Sequence, residues 1–305
     1  MADLAVTAAR HRRGRTHRRP GLSLWLPLSW VVLILVLALA ADRFELPDPG
    51  YMNWDRPAAP PGAVGKIPLP NAGGELTTTD YRYLLGTDAL GRDILTRLIY
   101  GARVSLLVGF IAPATALLIG GTLGLLAGYH RGRLESAVVA LMDIILAFPA
   151  LVLLLAVVFY FGPGLEKLIA ALAVLIVPAF CRVARANTLT WARRDFILAA
   201  RAVGAGDARI LFCHILPNVL IPMTSYGLLL VAVMIVAEGA MSFLGLGVPA
   251  PTPSWGGMIA EGKEVLGEAP HVCLIPAAAM FLTVLSFNLL GDRLRELTDV
   301  RNFQT

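Results

Sequence analysis

Long apolar runs alternate with short polar segments along this 305-residue chain. A helix needs roughly 20 mainly apolar residues to cross the ~30 Å hydrocarbon layer of a membrane. Six runs meet that requirement, at residues 22–41, 104–129, 137–161, 165–184, 219–243 and 272–290. In the fourth run, Glu166 and Lys167 shorten the start and Pro178 interrupts the end. The pattern predicts an all-α polytopic membrane protein with six transmembrane helices.

The first apolar run has two interpretations. A basic tail at residues 1–21 precedes it, and the run ends in Ala38-Leu39-Ala40, as in a cleavable signal, including the twin-arginine type. The run is about 18 residues long, however, which exceeds most signal cores. Because further spans follow, we expect an uncleaved membrane anchor at residues 22–41.

Composition agrees with this pattern, since only 15% of the residues are charged, whereas soluble domains carry about 25%. The formal net charge is +5. Cytoplasmic loops of membrane proteins are enriched in Lys and Arg. With a cytoplasmic N-terminus, 17 of the 26 Lys and Arg residues lie in cytoplasmic segments, and most others lie in one long external loop. We therefore expect both termini in the cytoplasm, and a positive charge that reflects membrane topology and not nucleic-acid binding.

Residue types that perform catalysis are scattered along the chain. The three cysteines, Cys181, Cys213 and Cys273, form no CxxC pair or Cys/His cluster, so neither a metal site nor a disulfide framework is predicted. The five histidines are dispersed, and no GxxxxGK[ST] phosphate loop occurs in the sequence. We expect this chain to have no catalytic residues and to bind no cofactor itself.

The external segment at residues 42–103 is rich in proline and glycine, which favours an extended linker over a packed domain. It ends in a polar motif composed of Gly86, Thr87, Asp88, Gly91, Arg92 and Asp93. From Asp93 to Arg103, apolar residues recur at helical spacing and predict a short amphipathic helix on the outer surface. A membrane core at residues 104–291 and a tail at residues 292–305 follow.

Two features inside the predicted spans indicate packing or function. Gly120, Gly124 and Gly128 recur every four residues, and such a stripe lets another helix backbone approach closely, from this chain or from a partner. Asp143 and Glu238 are acids in the third and fifth spans, each near one end of its span. A solvated or structural role and a role in a substrate pathway are both open for these acids.

The segment at residues 185–218 joins the fourth and fifth spans and would lie in the cytoplasm. Gly204 and Gly206 break a first short helix. Asp207 is placed to cap a second helix, and Pro217 resets the chain before the next span. This helix–turn–helix element is suited to dock in a groove of a partner, and the alternative is an amphipathic loop that rests on lipid headgroups.

The same segment resembles the EAA loop of ABC-importer permeases, whose pattern is EAA-x3-G-x9-I-x-LP. Ala199-Ala200, Gly204 and Leu216-Pro217 match this pattern, whereas Leu198 and His214 occupy its glutamate and isoleucine positions. Because Leu198 replaces the glutamate, a salt bridge made by that glutamate is not expected in this chain. The resemblance implies an ATPase-coupling loop formed by Leu198, Ala199, Ala200, Arg201, Gly204, Ala205, Gly206, Asp207, His214, Leu216 and Pro217.

Further motifs resemble the permeases of dipeptide, oligopeptide and nickel importers of the DppC/OppC type. They cover roughly residues 22–300, in a specific order and spacing. The matching residues are Gly86-Thr87-Asp88, Gly91-Arg92-Asp93, Tyr100 to Arg103, Asp143 with Phe148-Pro149, Arg182 with Arg185, His214 to Asn218, Ser242 to Gly247, and Pro253 to Gly256.

The resemblance implies a permease subunit of an ATP-driven importer in the cell inner membrane, with the type I ABC-importer permease fold. A homologous permease would supply the other half of the pathway, two cytoplasmic ATPase subunits would use ATP and Mg²⁺, and an external solute-binding protein would deliver the solute. Di- or oligopeptides are the first expectation for that solute, and nickel or another small solute is the alternative.

Two other functional classes fit the sequence less well than an importer does. A secondary transporter would use intramembrane acids as ion sites and would often contain inverted repeats, yet only Asp143 and Glu238 are present and no repeat is evident. A membrane-embedded enzyme would need clustered catalytic residues, and the sequence contains no such cluster.

Overall fold

A computed structural model describes residues 22–70 and 76–298 of the chain. The elements in order are α1 (Leu22–Ala40), β1 (Val64–Pro70), β2 (Leu76–Arg82), α2 (Ile94–His130), α3 (Gly132–Ala147), α4 (Ala150–Phe161), α5 (Leu165–Trp191), α6 (Asp195–Ala202), α7 (Leu216–Phe243), α8 (Trp255–Gly262) and α9 (His271–Thr298). The predicted basic tail at residues 1–21 lies outside the described residues. Much of the predicted C-terminal tail is helical, because α9 continues to Thr298.

Five of these helices, α1, α2, α5, α7 and α9, are long and apolar enough to cross a membrane. A sixth span is present if the bent pair α3 and α4 is counted as one. The all-α polytopic architecture predicted from the apolar runs is therefore confirmed.

The third predicted span is not a straight helix. Its two halves, α3 and α4, meet at an angle of 81° at Phe148-Pro149. Proline has no N–H to continue the helical hydrogen bonds, and its ring clashes with the preceding turn. The apolar run is therefore sharply bent at this point, and hydrophobicity alone does not distinguish such a pair from one continuous helix.

The fourth predicted span is longer than expected, because α5 passes through Pro178 and ends only at Trp191. Pro178 is buried within the bundle. In a membrane, neighbouring helices compensate for the hydrogen bond that an internal proline removes. The prediction that Pro178 interrupts this helix was wrong.

The external segment is packed, contrary to the predicted extended linker. β1 and β2 form an antiparallel hairpin in which Gly65 pairs with Tyr81 and Ile67 pairs with Thr79. The predicted short surface helix is instead the first three turns of α2, and Ile94 and Ile99 are buried there. This packing could not be predicted from the proline-rich composition, because the packing depends on contacts with distant parts of the chain.

The α2–α5 pair forms the centre of the bundle. The Gly120–Gly124–Gly128 stripe of α2 lies against backbone carbonyls of Val177, Cys181 and Arg185 in α5. A methyl group at any of the three glycines would overlap α5, so only glycine permits this approach. The stripe packs within this chain, and the alternative of a partner chain is not needed to explain it.

The remaining membrane helices surround this pair in two apolar clusters. One cluster joins α2, α3, α5 and α7, and the other joins α1, α2, α7 and α9. Helix α1 is fixed to α9 by a hydrogen bond from Trp30 Nε1 to Thr283 Oγ1 of 3.0 Å. Pro27, Val31, Ile34 and Ala38 are buried and lie on one face of this helix. The predicted anchor is therefore an integral part of the bundle.

Candidate coupling site and charged clusters

The segment between α5 and α7 forms a tight turn at the end of the bundle. Helix α6 ends at Ala202, and the chain reverses at Gly204, whose φ of +87° is disfavoured for residues with a side chain. A Cβ atom at Gly204 would meet nothing within 4 Å, so backbone conformation alone requires glycine here. The predicted first helix and its break at Gly204 are present in the structure.

Apolar residues on both sides of the turn anchor it to the bundle. Ile197 of α6 is fully buried, and so are Ile210 and Ile215 after the turn. These residues belong to the cluster that contains the cores of α2 and α5. The turn is therefore connected to the membrane helices through close-packed side chains.

The second half of the segment differs from its prediction. One α-helical turn at Asp207–Arg209 and a π-helical turn at Ile210–Ile215 continue directly into α7. Gly206, not Asp207, precedes the first helical residue, so Asp207 is not the cap. Pro217 lies in the first turn of α7 and does not interrupt the chain.

Tyr129, at the end of α2, joins the two sides of the turn. Its hydroxyl donates to Asp207 Oδ1, and it accepts a hydrogen bond of 3.3 Å from Arg201 Nη2. The hydrogen bond to Tyr129 raises the pKa of Arg201 above its usual value. No sequence motif pointed to Tyr129, since its contacts depend on where α2 ends.

The tip of the turn exposes apolar side chains. Val203 is 85% exposed, Leu198 is 53% exposed and Phe212 is 56% exposed. Leu198 occupies the position of the family's glutamate, and it faces solvent here. Of the other predicted loop residues, four are half-buried, namely Ala200, Ala205, His214 and Leu216. The remaining six are exposed, namely Ala199, Arg201, Gly204, Gly206, Asp207 and Pro217.

A buried ion-pair cluster lies at the opposite end of the bundle. Arg92 donates to Asp88 at 2.6 Å and to Glu261 of α8 at 2.5 Å, and Arg97 lies 3.0 Å from the same Glu261 carboxylate. The two arginine side chains are each only 2% exposed. Asp88 and Arg92 belong to the predicted external motif. Arg97 and Glu261 were not predicted, because no local pattern in the sequence links either of them to that motif.

Asp93 forms the N-terminal cap of α2. Its Oδ2 accepts from the backbone N–H and the hydroxyl of Thr96, at 2.9 and 2.6 Å, and from the Tyr81 hydroxyl. Burial raises the pKa of Asp93, and burial likewise raises the pKa of Tyr81. The cap joins the hairpin to the first membrane helix that follows it.

The other residues of the external motif hold neighbouring loops. The Thr87 hydroxyl donates to the Arg56 carbonyl at 2.5 Å and accepts from the Ala59 N–H at 2.8 Å. Gly86 lies against the backbone of Ala59 and Gly91 against that of Asn53. The motif therefore organises the external region, and nothing in its geometry indicates catalysis.

Two ion pairs connect α3 to α5. Asp143 accepts from Arg182 Nη2 at 2.8 Å, and Glu135 accepts from Arg185 Nε at 2.8 Å. Their exposure differs, since the Arg182 and Asp143 side chains are 61% and 56% exposed while those of Arg185 and Glu135 are 36% and 21% exposed. Each of these acids therefore has a basic partner on α5, and the two pairs join α3 to α5.

Glu238 of α7 is completely buried. Its carboxylate accepts from Ser105 of α2 at 3.1 Å and from Ser242 at 2.8 Å. Ser105 also accepts the N–H of Trp255, at the start of α8, at 3.2 Å. Glu238 thus links α2, α7 and α8 through hydrogen bonds, and this geometry favours a structural role for it.

Comparison with known proteins places these elements in one family. Residues 120–303 match the family described as binding-protein-dependent transport system inner membrane component. The chain belongs to this family. It is therefore an inner-membrane permease subunit of an ABC importer, and its long apolar helices are the membrane-spanning part.

Individual relatives extend the match beyond the family's core. The chain is 40% identical over 272 residues to the di/tripeptide transport system permease protein DppC of Pseudomonas aeruginosa. That alignment covers 89% of this chain and 86% of the relative. It is 42% identical over 215 residues to the glutathione transport system permease protein GsiD of Pectobacterium atrosepticum, which covers 70% and 71%. Residues of the external region are thus shared with such permeases.

Solved structures support the same fold. An inward-facing form of the MetNI methionine ABC transporter aligns with a TM-score of 0.55 at 20% identity. The alignment covers 67% of this chain and 97% of the other. The permease fold is thus common to both, at a level of identity that carries no information on the solute.

Proposed function

We propose that this permease subunit imports di- or oligopeptides and that the turn around Gly204 couples it to ATPase subunits. The observation that carries the coupling proposal is the combination of an exposed apolar tip and a buried base. Val203 and Leu198 are available to a partner, while Ile197 and Ile210 reach the core. A partner that moves the tip would therefore move α5 and α7 as rigid bodies.

The proposal includes the partners that such an importer needs. One homologous permease would complete the pathway as a heterodimer, two cytoplasmic ATPase subunits would bind the turns, and an external solute-binding protein would deliver peptide. ATP and Mg²⁺ would be bound by the ATPase subunits and not by this chain, which itself would not be an enzyme. Both termini and the Gly204 turn would then lie in the cytoplasm, in agreement with the distribution of Lys and Arg.

Peptide is favoured over nickel as the solute by the names of the relatives, which specify di/tripeptides and glutathione. Within the part of the chain that the structure describes, no three His, Cys, Asp or Glu side chains form a metal-binding group. Membership of a binding-protein-dependent transport family favours an ATP-driven importer over an ion-driven secondary transporter.

Uptake of a radiolabelled dipeptide into vesicles that contain the complete importer tests the proposed solute and energy source. We expect uptake to require ATP, to be abolished by vanadate and to persist when an ionophore removes ion gradients. Excess nickel should not compete. Uptake that follows an ion gradient without ATP would overturn the importer proposal, and competition by nickel would overturn the choice of peptide.

Substitution at the tip tests the coupling surface. Val203→Glu should release the ATPase subunits when the complex is purified, because a charge replaces an apolar contact. Leu134→Glu is the matched control, since Leu134 is 44% exposed at the same end of the bundle but outside the turn. Equal retention of ATPase subunits by both variants would show that the turn is not the docking surface.

A further inference from the structure

Tyr129 connects the Gly204 turn to α2, the central helix of the bundle. Its hydroxyl donates to Asp207 Oδ1 and accepts from Arg201 Nη2 at 3.3 Å. Arg201 lies three residues before Gly204, and Asp207 lies three residues after it. A tyrosine hydroxyl has one hydrogen to donate and can also accept, and here the two capacities are used on opposite sides of the turn. One side chain therefore bridges both arms of the turn.

The preceding residue, Gly128, fixes the position of Tyr129. A Cβ atom at Gly128 would lie 2.8 Å from Thr188 Cβ and 2.9 Å from the Arg185 carbonyl oxygen, so the end of α2 lies directly against α5. The Tyr129 ring also packs against the apolar cluster at the base of the turn. The hydroxyl is therefore held by a close-packed support, and its hydrogen bonds restrain the turn.

Backbone hydrogen bonds hold only the first arm of the turn. Two of them, each of 3.0 Å, are donated by the N–H groups of Gly204 and Ala205 and close the end of α6. Neither extends to Asp207. In the part of the chain that the structure describes, Tyr129 supplies the only side-chain hydrogen bonds that reach residues 198–209 from outside that segment. The orientation of the second arm relative to α2 therefore depends on this hydroxyl together with apolar packing.

We propose that Tyr129 is a positioning residue that holds the Gly204 turn in the orientation from which movement of the ATPase subunits reaches α2 as well as α5 and α7. The inference rests on the proposed coupling function of the turn. A rotation at Gly204 would separate Arg201 from Asp207, and one hydroxyl could then no longer bond to both. With the bridge intact, the two arms move together with α2. Without it, the turn absorbs part of the movement of its tip.

Tyr129→Phe tests the bridge, because it removes the hydroxyl and keeps the ring. The complete importer is to be reconstituted in vesicles with its solute-binding protein and assayed for ATP hydrolysed per molecule of radiolabelled Ala-Ala imported. We expect this ratio to rise about two- to fivefold, at the lower end of the effect of losing a hydrogen bond, because Arg201 and Asp207 are exposed. A purely structural role would lower the amount of active importer and leave the ratio unchanged. An unchanged ratio would therefore overturn the inference.

Tyr226→Phe is the matched control. Tyr226 packs against the same apolar cluster, and its hydroxyl has no hydrogen bond to any residue that the structure describes. This variant should hydrolyse as much ATP per imported Ala-Ala as the wild type does. An equal rise of the ratio in both variants would mean that the effect does not come from the bridge, and the inference would be wrong.

A double-mutant cycle with Asp207→Ala identifies the bond that is responsible. If Tyr129 acts through Asp207, adding Tyr129→Phe to Asp207→Ala should change the ratio less than Tyr129→Phe changes it in the wild type. Effects that simply multiply would overturn the inference. A wild-type importer that shows no ATP-dependent uptake of Ala-Ala would instead overturn the proposed function.

Discussion

Single glycines have two separate physical roles in this permease. At Gly204 the requirement is conformational, because φ is +87° and the surrounding space is empty. At Gly124 the requirement is spatial, because a Cβ atom would meet the Cys181 carbonyl and lie 2.8 Å from Ala184 Cβ. The two positions therefore predict different consequences of substitution.

Gly204→Val should uncouple ATP hydrolysis from transport while leaving membrane insertion intact. A β-branched residue is disfavoured at positive φ by about 1–2 kcal/mol, so the turn would change shape. Gly206→Val is the control, since Gly206 has an ordinary φ of −70° and a similarly open environment. ATPase activity and peptide uptake of the two importers are to be compared, and normal uptake by Gly204→Val would contradict the assignment of a hinge.

Gly124→Ala should destabilise the protein by about 1–3 kcal/mol, because the added methyl forces α2 away from α5. Gly227→Ala is a matched control in α7, where the nearest atom, in the Phe180 ring, lies at an ordinary contact distance of 3.8 Å. Thermal unfolding of the purified variants in detergent measures the difference. Similar midpoints for both variants would show that the stripe tolerates a wider spacing.

At the scale of elements, the start of α2 illustrates how one side chain joins two structural units. Asp93 caps the helix and also accepts a hydrogen bond from Tyr81 of the hairpin. Its burial raises its pKa, so the folded state holds the proton more tightly than the unfolded chain does. Stability from this group is therefore greatest at low pH and falls as pH rises from the ordinary value of 3.8 through the raised pKa.

Asp93→Asn should remove that pH dependence, because the amide can still accept the cap hydrogen bond and does not ionise. Asp93→Ala should instead cost about 0.5–2 kcal/mol at every pH, through loss of the cap. Melting temperatures measured on both sides of the Asp93 pKa distinguish the variants. A wild-type protein whose stability follows the same pH curve as Asp93→Asn would contradict the role of burial.

At the scale of the whole molecule, the external region connects parts of the chain that are far apart in sequence. The Asp88–Arg92–Arg97 cluster binds Glu261 of α8, and the His271 ring lies 3.0 Å from the Ala59 carbonyl. These contacts hold the start of α2 to α8 and α9. We expect the two regions to unfold together.

Arg97→Met should therefore destabilise the protein by about 3–5 kcal/mol, since it leaves the buried Asp88 carboxylate and the partly exposed Glu261 carboxylate without one of their partners. Arg103→Met, in the same helix, is the control, because Arg103 pairs with an Asp42 side chain that is 69% exposed. Its loss should cost about 0–1 kcal/mol. Thermal unfolding checks both values, and equal losses would mean that burial of the cluster does not matter.

The apolar runs by themselves determined the all-α membrane architecture, because the thickness of the bilayer sets the length of each run. The turn at Gly204 was also predictable, since a break between two amphipathic segments is a local property. The residue that caps the following helical turn was not predictable, because the sequence does not show whether that turn begins at Asp207 or one residue later.

Tertiary structure alone decided which surfaces meet. It placed the glycine stripe against α5, bent the third span at Phe148-Pro149, and packed the proline-rich external segment against α8. It also brought Asp143 next to Arg182, 39 residues away in the sequence. Such pairs depend on helix register and crossing, which arise from the packing of the whole bundle and leave no local signal in the sequence.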